Sequence, residues 1–116
     1  MQGDMLAFAL YALTATVGVI MALRWFRGQA SPISFAIAHL ILAGLGAWAL
    51  LAFLFGGDRT ASFTYAAIAF GLAALGGLYL GSFHFRKKAP PRGIISAHGG
   101  IAVLGILLLG FGLLYA

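Results

Sequence analysis

The chain has no cysteine and no glutamate, and only two acidic residues, Asp4 and Asp58, among its 116. Without thiols there can be no disulfide, thiolate metal ligand, iron–sulfur cluster or covalent c-type haem attachment. Charge of either sign is scarce. Only 8% of residues are charged, whereas a soluble domain carries roughly 25%. With 63% hydrophobic residues, a chain of this length could not hide its apolar surface from water, so it belongs in a bilayer. No carboxylate lies deep in an apolar run, which argues against a proton-coupled substrate site. The size invites comparison with small multidrug transporters, but those depend on an intramembrane glutamate. No HExxH, glycine-rich phosphate loop or nucleophile–base arrangement is found either.

What the sequence does contain is four apolar stretches, at about 4–23, 33–55, 61–84 and 94–115, each near the roughly 20 residues that span a hydrocarbon core. The connectors run from Arg24 to Pro32, Gly56 to Thr60 and Phe85 to Gly93. Connectors this short make neighbouring helices antiparallel, so the expectation is an up-down-up-down bundle. Pro32 and Pro91 stand where the second and fourth helices begin, and a proline costs little there because its missing N–H would have been unpaired anyway.

The net charge of +5 is not a nucleic-acid footprint, because the basic residues lie in the connectors. The first connector carries Arg24 and Arg27, and the third carries Arg86, Lys87, Lys88 and Arg92. In the second, Asp58 and Arg59 cancel. Positive-inside counting puts the first and third connectors in the cytoplasm and both termini outside. A bacterial inner membrane is the expected location. The opening Met-Gln-Gly-Asp is not a basic n-region, so the first helix is not read as a cleaved signal peptide.

Residues 26–39 and 85–98 repeat one pattern. The first copy reads Phe26-Arg27, Ala30, Pro32, Ala38-His39, and the second Phe85-Arg86, Ala89, Pro91, Ala97-His98, offset by 59 throughout. Extending the offset gives 15 identities in 57 pairs. Many are Ala, Leu and Gly matches that this composition supplies cheaply; the Phe-Arg, Pro and His matches are not cheap. Each copy holds two helices, so both begin on the same side of the membrane. The repeat is therefore parallel, with its pseudo-twofold axis along the membrane normal. The expectation is an all-α polytopic membrane protein, one domain over residues 1–116. It is a four-transmembrane-helix up-down bundle built from a tandem two-helix repeat, residues 1–57 and 60–116.

The duplication gives His39 and His98 their interest. Each lies seven residues past its proline, on the order of 10 Å along its helix. An ionisable side chain at that depth is costly and normally faces the bundle interior with a partner. The second and fourth helices are diagonal in such a bundle, so two imidazoles at one depth can clamp one metal centre between them. Imidazole suits iron, and haem iron is held by axial side chains of this kind. The bland alternative is a pair of helix-packing histidines.

Gly18 and its repeat partner Gly77 fall near the same depth on the flanking helices and would leave room for a macrocycle. Gly76, Gly99 and Gly100 add small residues nearby. Small residues also serve ordinary close packing of membrane helices. Arg27 and Arg86 are repeat partners at the basic surface, and guanidinium groups pair well with the carboxylates of haem propionates. Orientation and contact with anionic lipid explain the same residues. His84 breaks the symmetry, since its repeat partner is Trp25. It reads as an interfacial anchor, or else as a proton carrier or a contact to the cofactor edge.

At the repeated helix-borne histidines the chain resembles small membrane-bound b-type cytochromes. These are four-helix bundles with bis-histidine haem, the ascorbate-reducible transmembrane group included. The resemblance implies one haem b held by His39 and His98, and electron exchange with a quinone or a redox partner protein. That transmembrane group stacks two haems across the membrane. One histidine pair, at the cytoplasmic level, implies that a single chain does not carry electrons across alone. A chlorophyll-type tetrapyrrole on each histidine is the alternative, and a cofactor-free accessory subunit of a membrane complex is another. The sequence leaves open whether the chain acts as an oligomer or within a larger complex.

Overall fold

In the computed structural model, which describes residues 2–58 and 60–115, the chain forms four helices: α1 (Gly3–Phe26), α2 (Ile33–Phe55), α3 (Ala61–Arg86) and α4 (Arg92–Tyr115). All four are long and apolar enough to cross a membrane. They pack as an antiparallel bundle 43 Å long and about 20 Å across. The closest partners are α1 with α2 and α3 with α4. Lesser contacts join α1 to α4 and α2 to α3, which leaves α1/α3 and α2/α4 as diagonals. Large apolar side chains such as Leu40, Trp48, Leu75, Leu78 and Leu107 face outward, as they should where lipid is the solvent. The chain is thus an integral membrane protein with four candidate spans.

Two helices outlast their apolar runs. The sequence suggests ends near residues 23 and 84, yet α1 continues to Phe26 and α3 to Arg86. The first charged residue does not stop either helix, because its side chain finds backbone or aromatic partners. Arg24 donates from Nε and Nη2 to the Ala30 carbonyl at 3.2 and 3.0 Å. Arg86 donates to Ser82 Oγ at 2.8 Å and lies 4.0 Å over the Phe83 ring. A left-handed residue provides the stop instead. Gly28 has φ +75° and Lys87 has φ +53°, and the two are repeat partners. The residue after each closes the same 6→1 turn: Gln29 N–H to the Arg24 carbonyl at 2.8 Å, and Lys88 N–H to the Phe83 carbonyl at 3.2 Å. This is the Schellman arrangement that satisfies the last carbonyls of a helix. At its start, α4 takes in Arg92 as well, directly after Pro91. Arg59, expected to offset Asp58, lies outside the described residues.

The tightest packing lies in the half of the bundle away from the basic connectors. Ala7, Tyr11, Ala49, Leu50, Phe63, Ala66, Phe70 and Leu109 form one buried cluster there. At its centre the rings of Tyr11 and Phe70 stack 3.6 Å apart at 6°. These two positions are again 59 apart. A glycine on each neighbouring helix makes room for the stack. A Cβ at Gly46 would stand 3.2 Å from the Tyr11 ring, and one at Gly105 would stand 2.7 Å from the Phe70 ring. Gly46 and Gly105 are repeat partners too.

Candidate functional site

Moving from this core toward the basic end, the next pair on the axis is His39 from α2 and His98 from α4. Their ring centroids are 6.1 Å apart and their planes are inclined at 67°. Both side chains are half-buried. Each ring is fixed through one nitrogen. His39 Nδ1 bonds to the Thr14 carbonyl on α1 at 2.9 Å, and His98 Nδ1 bonds to the Ala73 carbonyl on α3 at 2.7 Å. A carbonyl can only accept, so in both rings Nδ1 carries the proton and donates. The neutral imidazole then has its lone pair on Nε2. Among the described residues no hydrogen bond is made to either Nε2.

The glycines explain how a ring reaches the carbonyl of a neighbouring helix. In an α-helix the carbonyl of residue i points along the axis at residue i+4. Four residues after Thr14 comes Gly18, and four after Ala73 comes Gly77. A Cβ at Gly18 would stand 2.9 Å from His39 Cε1, and one at Gly77 would stand 3.0 Å from His98 Cε1. Each glycine therefore seats the histidine of its own repeat. The space that the sequence suggests for a macrocycle at these two positions is taken by the imidazoles themselves. Gly76 also lies beside His98, where a Cβ would be 3.7 Å from the ring. Gly99 and Gly100 face open space.

The two arginines are not brought to the histidines. Arg27 is exposed at the C-cap of α1. Arg86 is held against its own helix by Ser82 and Phe83, with Tyr79 at 5.9 Å. Arg92 ties the start of α4 to the end of α1, donating to the Phe26 carbonyl at 3.1 Å. His84 meets Trp25 edge to face, with centroids 6.0 Å apart. This is a third repeat-related pair across the axis, after Tyr11/Phe70 and His39/His98.

Thr14 and Ala73 were not legible as site residues. They contribute through backbone carbonyls, and their side chains differ between the copies. The signal that could have found them is the paired glycine four residues further on, in register with the paired histidine. Compared with known protein families, curated proteins and solved structures, the chain matches none.

The donor set fits a metal that accepts two imidazoles. A ligating histidine commonly donates its other ring N–H to a backbone carbonyl, which fixes both tautomer and orientation.

Proposed function

We propose that the chain is a membrane b-type cytochrome that holds one haem b between His39 and His98. It would exchange electrons with a membrane-dissolved quinol or a redox partner protein. What carries this reading is the twin arrangement of the imidazoles. Both are held at Nδ1 by a carbonyl of a neighbouring helix, and they meet across the axis with ring centroids 6.1 Å apart. The haem would supply a one-electron couple. The chain's part is to hold two neutral imidazoles as ligands, to fix their planes and to exclude water and lipid from the iron.

Two pigments, one on each histidine, would need two macrocycle planes at rings whose centres are 6.1 Å apart. That leaves little room for two macrocycles, so the single-haem reading is preferred. In this reading the basic connectors face the cytoplasm, the histidines lie at the cytoplasmic level and the membrane is a bacterial inner membrane. Arg27 and Arg86 reach propionates only by leaving their present positions, so their contribution is secondary.

The test is the absorption spectrum of the purified protein before and after dithionite, with the haem-to-chain ratio. A low-spin b-type spectrum at one haem per chain is expected, because two strong-field imidazoles fill both axial positions. His39→Ala and His98→Ala should each abolish or severely weaken binding. His84→Ala should leave the spectrum nearly unchanged, and Arg27→Ala or Arg86→Ala should weaken binding modestly, as exposed charge contacts do. A colourless protein, or loss of haem in His84→Ala but not in His39→Ala, would sink the proposal.

A further inference from the structure

At the basic end of the bundle, beyond the histidine pair, a cleft of about 360 Å³ opens between the ends of α1 and α3. Trp25 and Phe83 give it aromatic walls, and His84, Lys87 and Lys88 give it a cationic one. The backbone of both basic connectors contributes at Ala30, Ser31 and Ala89. The cationic wall belongs to the second repeat alone. The equivalents of His84, Lys87 and Lys88 in the first repeat are Trp25, Gly28 and Gln29.

Lys87 is the unexpected residue. It occupies the left-handed position that closes α3, at φ +53° and ψ +40°, where the first repeat has Gly28. A side chain in the left-handed region is disfavoured by the clash of its Cβ with the following carbonyl, which glycine would avoid. The lysine stands at a place where the local backbone disfavours it, and it lines the cleft. Among the described residues no acidic side chain lines the cleft. The two acids, Asp4 and Asp58, belong to the first turn of α1 and to the second connector, which is the opposite end of the bundle.

We propose that this cleft binds the phosphate of an anionic phospholipid, with Lys87 and Lys88 as the cationic contacts and Trp25 beside them at the level of the headgroups. Basic pockets between membrane helices take phosphate headgroups by charge and hydrogen bonding. Trp and Tyr prefer the same level. The occupant is a lipid because the cleft opens at the headgroup level of a chain that is otherwise wrapped in hydrocarbon.

The chain has two tryptophans, Trp25 and Trp48, so Trp48→Phe leaves Trp25 as sole reporter. This variant is reconstituted in phosphatidylcholine vesicles containing a rising fraction of brominated phosphatidylglycerol, and Trp25 quenching is followed. Brominated phosphatidylcholine serves as the zwitterionic control. The expected result is preferential quenching by phosphatidylglycerol, reduced about fivefold for each lysine removed in Lys87→Gln and Lys88→Gln. Lys87→Gly separates binding from folding, because it relaxes the turn and removes the charge together. It should weaken the lipid preference while leaving the protein as stable as before or more so. Equal quenching by the two lipids overturns the proposal, and so does a preference that survives the double Lys→Gln variant. Millimolar inorganic phosphate that erases the preference would assign the site to soluble phosphate and overturn the lipid as its occupant. Quenching is read relative to the same protein in bromine-free vesicles, so a constant contribution from any bound chromophore cancels.

Discussion

Gly18 and Gly77 seat the imidazoles of His39 and His98, and so bear directly on the proposed ligation. An imidazole on a transmembrane helix has many ways to satisfy itself. What sets its tautomer here is a carbonyl of the adjacent helix that already accepts an intrahelical bond, and glycine leaves that carbonyl accessible. This predicts an unusual sign for a conservative substitution. Gly→Ala in a helix interior ordinarily stabilises by about 1 kcal/mol. At Gly18 or Gly77 the new Cβ would stand 2.9 or 3.0 Å from imidazole Cε1, so the ring must swing away from Thr14 or Ala73. The expected outcome is weakened or heterogeneous axial ligation, read as partial loss of the low-spin spectrum, with the helical content intact. Gly99→Ala, at a glycine that faces open space, is the control and should leave the spectrum unchanged. If Gly18→Ala and Gly99→Ala behave alike, the glycine–carbonyl–histidine relay has no role in holding the ligands. The histidines were legible from the sequence because their side chains are the same in both copies. The carbonyls were not, because a backbone group leaves no mark on residue type.

At the scale of the helices, hydropathy located all four elements, and the basic residues blurred their ends. The apolar run stops at Leu23, but the chain stays helical to Phe26. Arg24 can lay its stem along the helix and reach forward to a free carbonyl, so a charge at this level is compatible with helix. The physical stop is the sign of φ at Gly28 and Lys87. Glycine announced it in the first copy, and lysine concealed it in the second. The two turns therefore respond to substitution in opposite directions. Gly28→Ala should destabilise the protein by about 1 kcal/mol or more, because it places a Cβ in the left-handed region. Lys87→Gly should stabilise it by up to about 1 kcal/mol. Reversible unfolding in mixed micelles of denaturing and mild detergent would read both changes. Two shifts of the same sign would mean that the turns do not share the backbone geometry described.

For the whole molecule, three pairs related by the 59-residue offset meet along one line: Tyr11/Phe70, His39/His98 and Trp25/His84. The order along it is a packed aromatic stack, a half-buried imidazole pair, and a cleft bounded by basic side chains. Duplication supplies the placement, and divergence at single positions supplies the chemistry at each level. In the proposed orientation the basic end of this line faces the cytoplasm, and charge is the reason for proposing it. Six of the seven basic residues, Arg24, Arg27, Arg86, Lys87, Lys88 and Arg92, cluster at the Trp25/His84 end. Basic residues flanking spans are retained on the cytoplasmic side. A C-terminal alkaline phosphatase fusion should therefore be active, and a C-terminal green fluorescent protein fusion should be dark. A phosphatase inserted in the connector between α3 and α4 should be inactive. The cause can be tested separately from the outcome, because α3 and α4 share four of the six basic residues through their connector. Replacing Lys87, Lys88 and Arg92 by Gln should lower the fraction of chains in this orientation, while the same replacement at Arg59 should leave it unchanged. A fluorescent C-terminal fusion on the unsubstituted chain would reverse the proposed orientation and move the histidine pair to the external side.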